Sequence, residues 1–218
     1  MLYPDSRILV FCKAPVTGKV KTRLAETVGE DAAATIHEFL AWHCLKKISK
    51  ENIAPIELWC APDARHEFFR RCETVFDVSL KVQKGKCLGE RMENAFADAL
   101  PQTQSSLVIG TDCPAITPSY LRTALSVLEK HNTVLGPAED GGYVLLGLRQ
   151  PQPSIFSDMP WGSSRVLDET ISRLKGDLHQ LDVLWDVDRV EDLNRLRKAS
   201  HELQLERDFS EFLNEIDA

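Results

Sequence analysis

Short apolar runs recur along the chain and alternate with stretches in which apolar residues repeat at helical spacing. Several of the runs are continuously apolar, which is typical of strands buried on both faces of a sheet. The predicted strands are residues 7–12, 56–61, 78–83, 106–110, 133–137, 143–148 and 180–185. The predicted helices are residues 33–48, 63–74, 88–99, 118–130 and 164–174, and the chain after Asp188 is predicted to be helical to its end.

The order of these elements predicts an α/β fold. Strands and helices alternate as far as residue 137, and a Gly-rich turn then joins two strands that can pair antiparallel. This alternation implies a mostly parallel mixed sheet sandwiched by helices. Because no repeat or linker divides the chain, we expect one domain over residues 1–218, with a helical tail at about 189–218. The tail is expected to pack on the core or on a second subunit, which leaves a homodimer open.

Composition narrows the classes of function. Apolar residues make up 43% of the chain, charged residues 27%, and the formal net charge is −7. A nucleic-acid-binding domain is expected to be basic, so no nucleic acid partner is predicted. We find no signal-peptide pattern and no apolar run of about 20 residues, which predicts a cytoplasmic protein without membrane insertion. The six cysteines form no CxxC pair, which argues against a zinc site or a disulfide framework.

The segment FCKAPVTGKVKTRLA, residues 11–25, places a basic loop between a predicted strand and a predicted helix. Open α/β sheets bind ligands outside the carboxyl ends of their strands. Gly18 permits backbone geometry that larger residues resist, and Lys13, Lys21 and Arg23 supply charge that can hold a phosphate. The segment is not a P-loop, because GxxxxGK[ST] is absent. A solvated basic turn is the alternative.

A second segment, VIGTDCPAITP, places Asp112 directly after a predicted buried strand. A carboxylate there, facing a bound polyphosphate, is what a Mg²⁺ or Mn²⁺ ion needs. The alternative is an ordinary turn acid. Thr117 followed by Pro118 predicts a helix N-cap and a proline at the first helical position.

Two further segments carry acidic residues. In GPAEDGGYVLLG, Asp140 precedes two glycines, so it is either a carboxylate presented to a substrate or part of a simple hairpin turn. In WDVDRVEDL, Asp186 and Asp188 face the same way if the chain is extended, and a cation between them would relieve their repulsion. The alternative for Asp188 is that it caps the last helix.

The segment MPWGSSRVLDET, residues 159–170, predicts a helix start at Ser163 and Ser164. Arg165 in the first turn works against the helix dipole, which indicates another task such as binding an anion. Trp161 is either a stacking platform for a ligand or an anchor in the core.

In this order and spacing the segments resemble the bacterial rSAM/selenodomain-associated glycosyltransferases, over roughly residues 7–198. The resemblance implies a GT-A-like, nucleotide-diphospho-sugar transferase fold, with a nucleotide at the first loop and a divalent metal on an Asp after a central strand. The roles predicted from the motifs and the resemblance together are nucleotide or phosphate binding for Lys13, Gly18, Lys21 and Arg23, catalysis for Asp112 and Asp140, metal binding for Asp112, Asp186 and Asp188, and acceptor binding for Trp161, Ser163, Ser164 and Arg165.

We therefore expect a metal-dependent transferase that uses a nucleotide-activated donor and Mg²⁺ or Mn²⁺. A glycosyltransferase acting on a nucleotide sugar and a small-molecule acceptor is the leading interpretation. Gly110 stands where many GT-A enzymes have the first Asp of an Asp-x-Asp motif, which is closer to the nucleotidyltransferase pattern. A nucleotidyltransferase that joins a nucleoside triphosphate to a phosphorylated acceptor, releasing pyrophosphate, is thus one alternative. A non-catalytic nucleotide-binding scaffold is another.

Overall fold

The computed structural model describes residues 1–216. Its strands are β1 (Ser6–Lys13), β2 (Ile56–Ala61), β3 (Ser79–Val82), β4 (Ser105–Gly110), β5 (Thr133–Pro137), β6 (Tyr143–Leu148) and β7 (Leu178–Gln180). Its helices are α1 (Thr22–Val28), α2 (Glu30–Ser49), α3 (Glu67–Phe76), α4 (Leu88–Ala99), α5 (Pro118–Leu128), α6 (Val166–Arg173), α7 (Val190–Lys198) and α8 (Arg207–Glu215).

The strands form one sheet in the order β3-β2-β1-β4-β6-β5-β7. Within the described residues, only β6 runs against the common direction, antiparallel to β4 on one side and to β5 on the other. The carboxyl ends of the other six strands therefore meet at one edge, together with the turn that leads from β5 into β6. The predicted loops around Arg23, Asp112, Asp140 and Asp186 lie at this edge, whereas residues 159–170 follow β6, which ends at the opposite edge.

Both faces of the sheet are buried, as the continuous apolar runs predicted. Along β1, Ile8 and Val10 contribute to a core on one face and Leu9 to a core on the other. The first core also contains buried residues of α2, α3 and α5, and the second contains residues of α4. This arrangement confirms the predicted α/β sandwich. None of the helices in residues 1–216 is long and apolar enough to cross a membrane.

The last predicted strand, 180–185, is wrong as a continuous element. The ladder ends at Gln180, although the amides of Leu181 and Leu184 still bond to the carbonyls of Leu135 and Pro137. Between them the chain leaves the sheet, and Val183 is left exposed. The apolar pattern of the segment thus reflects packing at the sheet edge and not a full strand.

The prediction of an unbroken C-terminal helix is also wrong, because α7 and α8 are separated by a turn in which Gln204 has a positive φ of 56°. The turn brings Leu196 of α7 and Phe209 of α8 into one cluster with Leu40 of α2. Glu206 closes the turn onto α2, accepting from His43 Nδ1 at 3.1 Å and lying 2.9 Å from Lys46 Nζ. The tail of residues 189–216 therefore packs on the core of its own chain.

Lys21 connects three of the loops at the carboxyl edge. It has a positive φ of 48° as the residue before α1, a conformation that costs a non-glycine residue roughly 1–2 kcal/mol. Its side chain is only 3% exposed, and its ammonium lies 2.7 Å from Asp112 Oδ1 in the loop after β4. The same ammonium donates to the carbonyl of Val187 in the segment after β7. One cation therefore fixes the loops after β1, β4 and β7 relative to one another.

We predict that Lys21→Met lowers the free energy of unfolding by about 1–3 kcal/mol, because it leaves a partly buried carboxylate without its partner. Lys19→Met is the matched control, since Lys19 lies in the same loop with an exposed side chain and should change stability by less than about 0.5 kcal/mol. Urea denaturation measures both variants. Equal losses in the two would show that the ion pair contributes nothing to stability.

A pH-dependent contribution is predicted for Glu206. Burial acts to raise the pKa of its carboxyl, but hydrogen bonds from His43 and Lys46 outweigh that effect and lower the pKa to about 2. The unfolded chain should titrate near 4.3, so the stabilisation is complete above that pH and is lost as the pH falls towards 2. The stability difference between the wild type and Glu206→Gln should narrow over this window.

The control for that experiment is Glu202→Gln, in which the replaced side chain is an exposed neighbour in the same turn. It should differ little from the wild type at any pH. A gap between the wild type and Glu206→Gln that stays constant from pH 5 to pH 2 would contradict the assigned ion pairs.

Candidate functional site

Two adjoining cavities open at the carboxyl edge of the sheet. One has a volume of about 600 Å³ and the other of about 450 Å³. Arg23 and Asp188 line both cavities, and Arg23 Nη1 lies 2.7 Å from Asp188 Oδ2. This ion pair therefore stands in the wall between the two cavities. We call the larger one the basic cavity and the smaller one the acidic cavity, after the side chains described below.

The basic cavity collects cations from two loops. Lys13 and Arg23 flank the loop after β1, at the end of that strand and in the first turn of α1, whereas Lys86 lies between β3 and α4 and Arg91 in the first turn of α4. Asp112 lies among them. The wall also contains Lys21, which is paired with Asp112, and Asp188, which is paired with Arg23. Lys13, Lys86 and Arg91 are left without an ion pair among residues 1–216, and three such cations suit a ligand that carries more than one negative charge, such as a diphosphate.

Lys86 and Arg91 were not identified from the sequence. The signal was present in QKGKCLGER, which follows β3 and combines basic residues with glycines immediately before a helix. Gly85 has a φ of 139°, and a Cβ there would lie 2.9 Å from the backbone nitrogen of Arg91. The tight turn at Gly85 thus holds the loop against the start of α4, with Arg91 Nε donating to the Gly85 carbonyl.

Asp112 has two oxygens in different surroundings. Oδ1 is buried beside Lys21, yet the side chain as a whole is 47% exposed, so its open area faces the basic cavity. His37 donates from Nε2 to the Lys13 carbonyl, and its Nδ1 lies 3.6 Å from Asp112 Oδ1. Burial acts to raise the pKa of Asp112, but Lys21 and His37 outweigh it and hold the pKa well below its usual range. Asp112 is therefore a fixed anion with one face open to a ligand.

The expectation that Lys21 itself holds a phosphate is not supported by its position. Its ammonium is already bonded to Asp112 and Val187 and its side chain is almost entirely buried. The left-handed backbone at Lys21 turns the side chain inward, which the sequence pattern could not show. Gly18 has the positive φ expected of it, 73°, but it lies beside Glu30 and lines neither cavity.

The acidic cavity contains the later carboxylates. Asp140, Asp186 and Asp188 all line it, together with Ser163 and Ser164. Burial, followed by the charges of Asp140 and Asp112, raises the pKa of Asp186 to about 6. Asp112, Asp140 and Asp186, the predicted acids that follow β4, β5 and β7, thus lie close enough together for the first two to repel the third.

The turn between β5 and β6 is pressed against the segment that carries the serines. Gly141 has a φ of 87°, and a Cβ there would come within 2.2 Å of the Ser164 carbonyl oxygen. The Gly141 carbonyl accepts from the amide of Leu167 at 2.9 Å. Asp140 Oδ1 accepts from the Gly142 amide at 2.8 Å, which leaves its other oxygen for the cavity. The hairpin interpretation and the site interpretation of this loop are therefore compatible.

Trp161 and Arg165 do not line either cavity. Trp161 packs edge-on against Tyr143 and lies so close to Gly89 that a Cβ on that glycine would meet its indole nitrogen at 2.7 Å. Of its two interpretations, the packing favours the core anchor. Arg165 is exposed and occupies the N-cap position, since α6 begins at Val166, after the predicted start at the serines.

Asp188 does not use its side chain to cap α7, the helix that follows it, because that carboxylate is bonded to Arg23. Asp192, inside α7, caps it instead by accepting from the amides of Asp188 and Arg189. Glu139 is likewise engaged, with its two oxygens 2.7 and 3.1 Å from the guanidinium nitrogens of Arg195.

The carboxylates fit a divalent ion in part. Within residues 1–216, no group of three or more His, Cys, Asp or Glu side chains is arranged to hold a metal by itself. Mg²⁺ in nucleotide-dependent enzymes is commonly held by one or two carboxylates plus the substrate phosphates. Burial, and after it the charges of Asp140 and Asp112, raise the pKa of Asp186, and such an ion would relieve the repulsion among these carboxylates. Asp112 and Asp186 therefore suit this role, whereas Asp188 is occupied by Arg23.

Solved structures share the fold over nearly the whole chain. A "putative nucleotide-diphospho-sugar transferase" from Desulfovibrio desulfuricans G20 is 28% identical, covers 99% of each chain and superposes with a TM-score of 0.85. A cytidylyltransferase from Leptospira borgpetersenii serovar Hardjo-bovis is 11% identical, covers 99% of each chain and has a TM-score of 0.60. The manganese complex of Rv0371c from Mycobacterium tuberculosis H37Rv is 15% identical, covers 89% of this chain and 98% of its own, and has a TM-score of 0.57.

These likenesses confirm the predicted nucleotide-diphospho-sugar transferase fold. The structure that is 28% identical also supports an enzyme of the transferase class. No curated protein shows significant sequence similarity to the chain. The model of the family described as "Uncharacterized protein conserved in bacteria (DUF2064)" matches residues 44–163. Because the match spans more than half of the 218 residues, the chain belongs to the DUF2064 family.

Proposed function

We propose that the protein is a metal-dependent glycosyltransferase that takes its donor from a nucleotide sugar. The observation that carries the proposal is the junction of a basic and an acidic cavity across the Arg23–Asp188 pair. A donor diphosphate would bind among Lys13, Lys86 and Arg91, and an acceptor would enter beside Asp140. The exposed part of Asp112 lines the basic cavity, where the donor would lie.

The residues of the basic cavity would bind and orient the donor. Lysine and arginine side chains form short, charge-assisted hydrogen bonds to phosphate oxygens, and several of them fix the direction of the leaving group. Bound Mg²⁺ or Mn²⁺, held by Asp112 and Asp186, would neutralise charge that develops on the departing diphosphate. Lys21 and His37 keep Asp112 ionised and its orientation constant throughout.

Asp140 is the proposed general base. Its Oδ2 is the oxygen left for an acceptor hydroxyl, since Oδ1 is taken by the Gly142 amide. Ser163 and Ser164 lie in the same cavity and offer hydroxyls that can hydrogen-bond a polar acceptor. A retained proton on Asp140 after transfer would exchange with solvent, because the residue is exposed.

The charge of the acidic cavity favours glycosyl transfer over the nucleotidyl alternative. A nucleotidyltransferase of the predicted kind needs a phosphorylated acceptor, and Arg165 was expected to receive its phosphate. Arg165 lies outside the cavity, whose wall instead carries Asp140 and Asp186 without a bonded cation among the described residues. A neutral, hydroxyl-bearing acceptor meets less repulsion there than a phosphate would. Gly110, in place of the first Asp of an Asp-x-Asp motif, still supports the nucleotidyltransferase hypothesis.

The test is a thermal-shift panel of nucleoside diphosphates, triphosphates and nucleotide sugars, each with and without Mg²⁺ or Mn²⁺. A ligand at about 100 times its Kd stabilises the folded state by roughly 2.7 kcal/mol. We expect a metal-dependent shift with one nucleotide sugar, and we expect Asp112→Asn to lose the metal-dependent part of that shift. The comparison uses the ligand-induced difference within each variant, because removing the partner of Lys21 also changes basal stability.

Asp5→Asn is the control, since Asp5 is exposed and lies in neither cavity. ³¹P NMR of the reaction mixture separates the three functions. Release of nucleoside diphosphate supports glycosyl transfer, release of pyrophosphate from a triphosphate supports nucleotidyl transfer, and binding without turnover supports a scaffold. A metal-dependent shift that survives in Asp112→Asn would overturn the metal assignment.

A further inference from the structure

A third cavity, of about 700 Å³, lies outside the two just described. Its wall is formed by the last turns of α2, the N-terminus of α5 and the turn between α7 and α8. It shares Trp185 with the acidic cavity and no residue with the basic cavity. A cavity of this size can hold a ligand as large as a nucleotide.

Two lysines in this wall have no carboxylate partner among residues 1–216. Lys47 is partly buried, and its ammonium donates to the Pro114 carbonyl at 3.0 Å. Lys50, the residue that follows α2, is exposed at the rim. Burial lowers the pKa of Lys47, which reflects the cost of holding an ammonium away from water. An anion in the cavity would offset that cost.

Most other charged side chains of the wall already have partners. The pairs are Lys46 with Glu206, Glu51 with Arg122, and Arg195 with Glu139. Glu202 is exposed and forms no ion pair with another described residue. Two unpaired lysines against one unpaired glutamate leave the cavity with an excess of one positive charge.

One further feature favours an anion. Helix α5 is 11 residues long and starts at the wall with Thr117 as its N-cap, so the positive end of its dipole is directed there.

The simpler explanation is that Lys46 and Lys47 stabilise the C-terminus of α2 through the helix dipole, as basic residues commonly do in a last turn. That effect needs only exposed lysines. It does not account for an ammonium held partly out of water at Lys47, or for a cavity of this volume beside it.

We propose that this third cavity is a binding site for a small anion bearing phosphate groups, held by Lys47 and Lys50 at the N-terminus of α5. The site is separate from the basic cavity and independent of the proposed function. Three of its residues connect it to the segments of the candidate carboxylates. Lys47 donates to Pro114, two residues after Asp112. Trp185 precedes Asp186, and Arg195 is paired with Glu139, which precedes Asp140.

Isothermal titration with inorganic pyrophosphate tests the proposal. The buffer contains EDTA, so that metal-bridged binding at Asp112 does not contribute. The titration is carried out on the Lys86→Met/Arg91→Met variant, which weakens the basic cavity. We expect saturable binding there, and we expect the further substitutions Lys47→Met and Lys50→Met to raise the Kd at least tenfold. On the wild-type background, the same two substitutions should remove one class of sites.

Lys50→Glu provides a second variant that does not depend on folding around Lys47, because Lys50 is exposed. It should raise the Kd at least threefold, while Lys19→Glu, at an exposed lysine outside the cavity, should leave it unchanged. Absence of pyrophosphate binding to the Lys86→Met/Arg91→Met variant would overturn the proposal. So would a Kd that is equal with and without Lys47 and Lys50.

Discussion

The ion pair between Lys21 and Asp112 joins loops that are far apart in the sequence. The ammonium of Lys21 reaches Asp112 after β4 and the carbonyl of Val187 after β7, while its own backbone adopts a left-handed conformation before α1. The strain in that backbone is offset by contacts that no other residue of the loop makes. Both cavities are bounded by these loops, so their shapes depend on where this one cation lies.

The single reversed strand, β6, has a comparable effect on the acids. Because β6 returns from the carboxyl edge, the turn before it lies at that edge and carries Asp140 towards Asp186. In an all-parallel sheet the chain after β5 would leave through a helix. The antiparallel insertion therefore makes it possible for acids of the β5–β6 turn and acids of the segment after β7 to share one cavity.

Much of this arrangement was predictable from local pattern. Continuous apolar runs identified β1, β2 and β4 because strands covered on both faces leave no polar position. The rule that ligands bind beyond the carboxyl ends of strands selected Asp112 and Arg23, which do line a cavity.

Local pattern could not give the direction of side chains, because that direction depends on contacts distant in sequence. Lys21 has the charge of a phosphate ligand, but a left-handed φ turns it inward to Asp112. Trp161 fills space above Gly89, a residue of another helix. Arg91 was missed because its place in the cavity is set by a turn at Gly85 and not by any motif.

The stacking of Arg195 on Trp185 has a consequence for how the chain can be divided. Arg195 belongs to α7, and its guanidinium carbon lies 4.4 Å from the Trp185 ring centre. Its Nη1 and Nη2 each donate to one carboxylate oxygen of Glu139. Through Arg195, the tail thus holds in place the two loops that carry Asp140 and Asp186. A shortened chain that ended before α7 would retain every strand of the sheet and still lose the support of its acidic cavity. An intact acidic cavity therefore requires α7 in addition to the sheet and the helices that cover it.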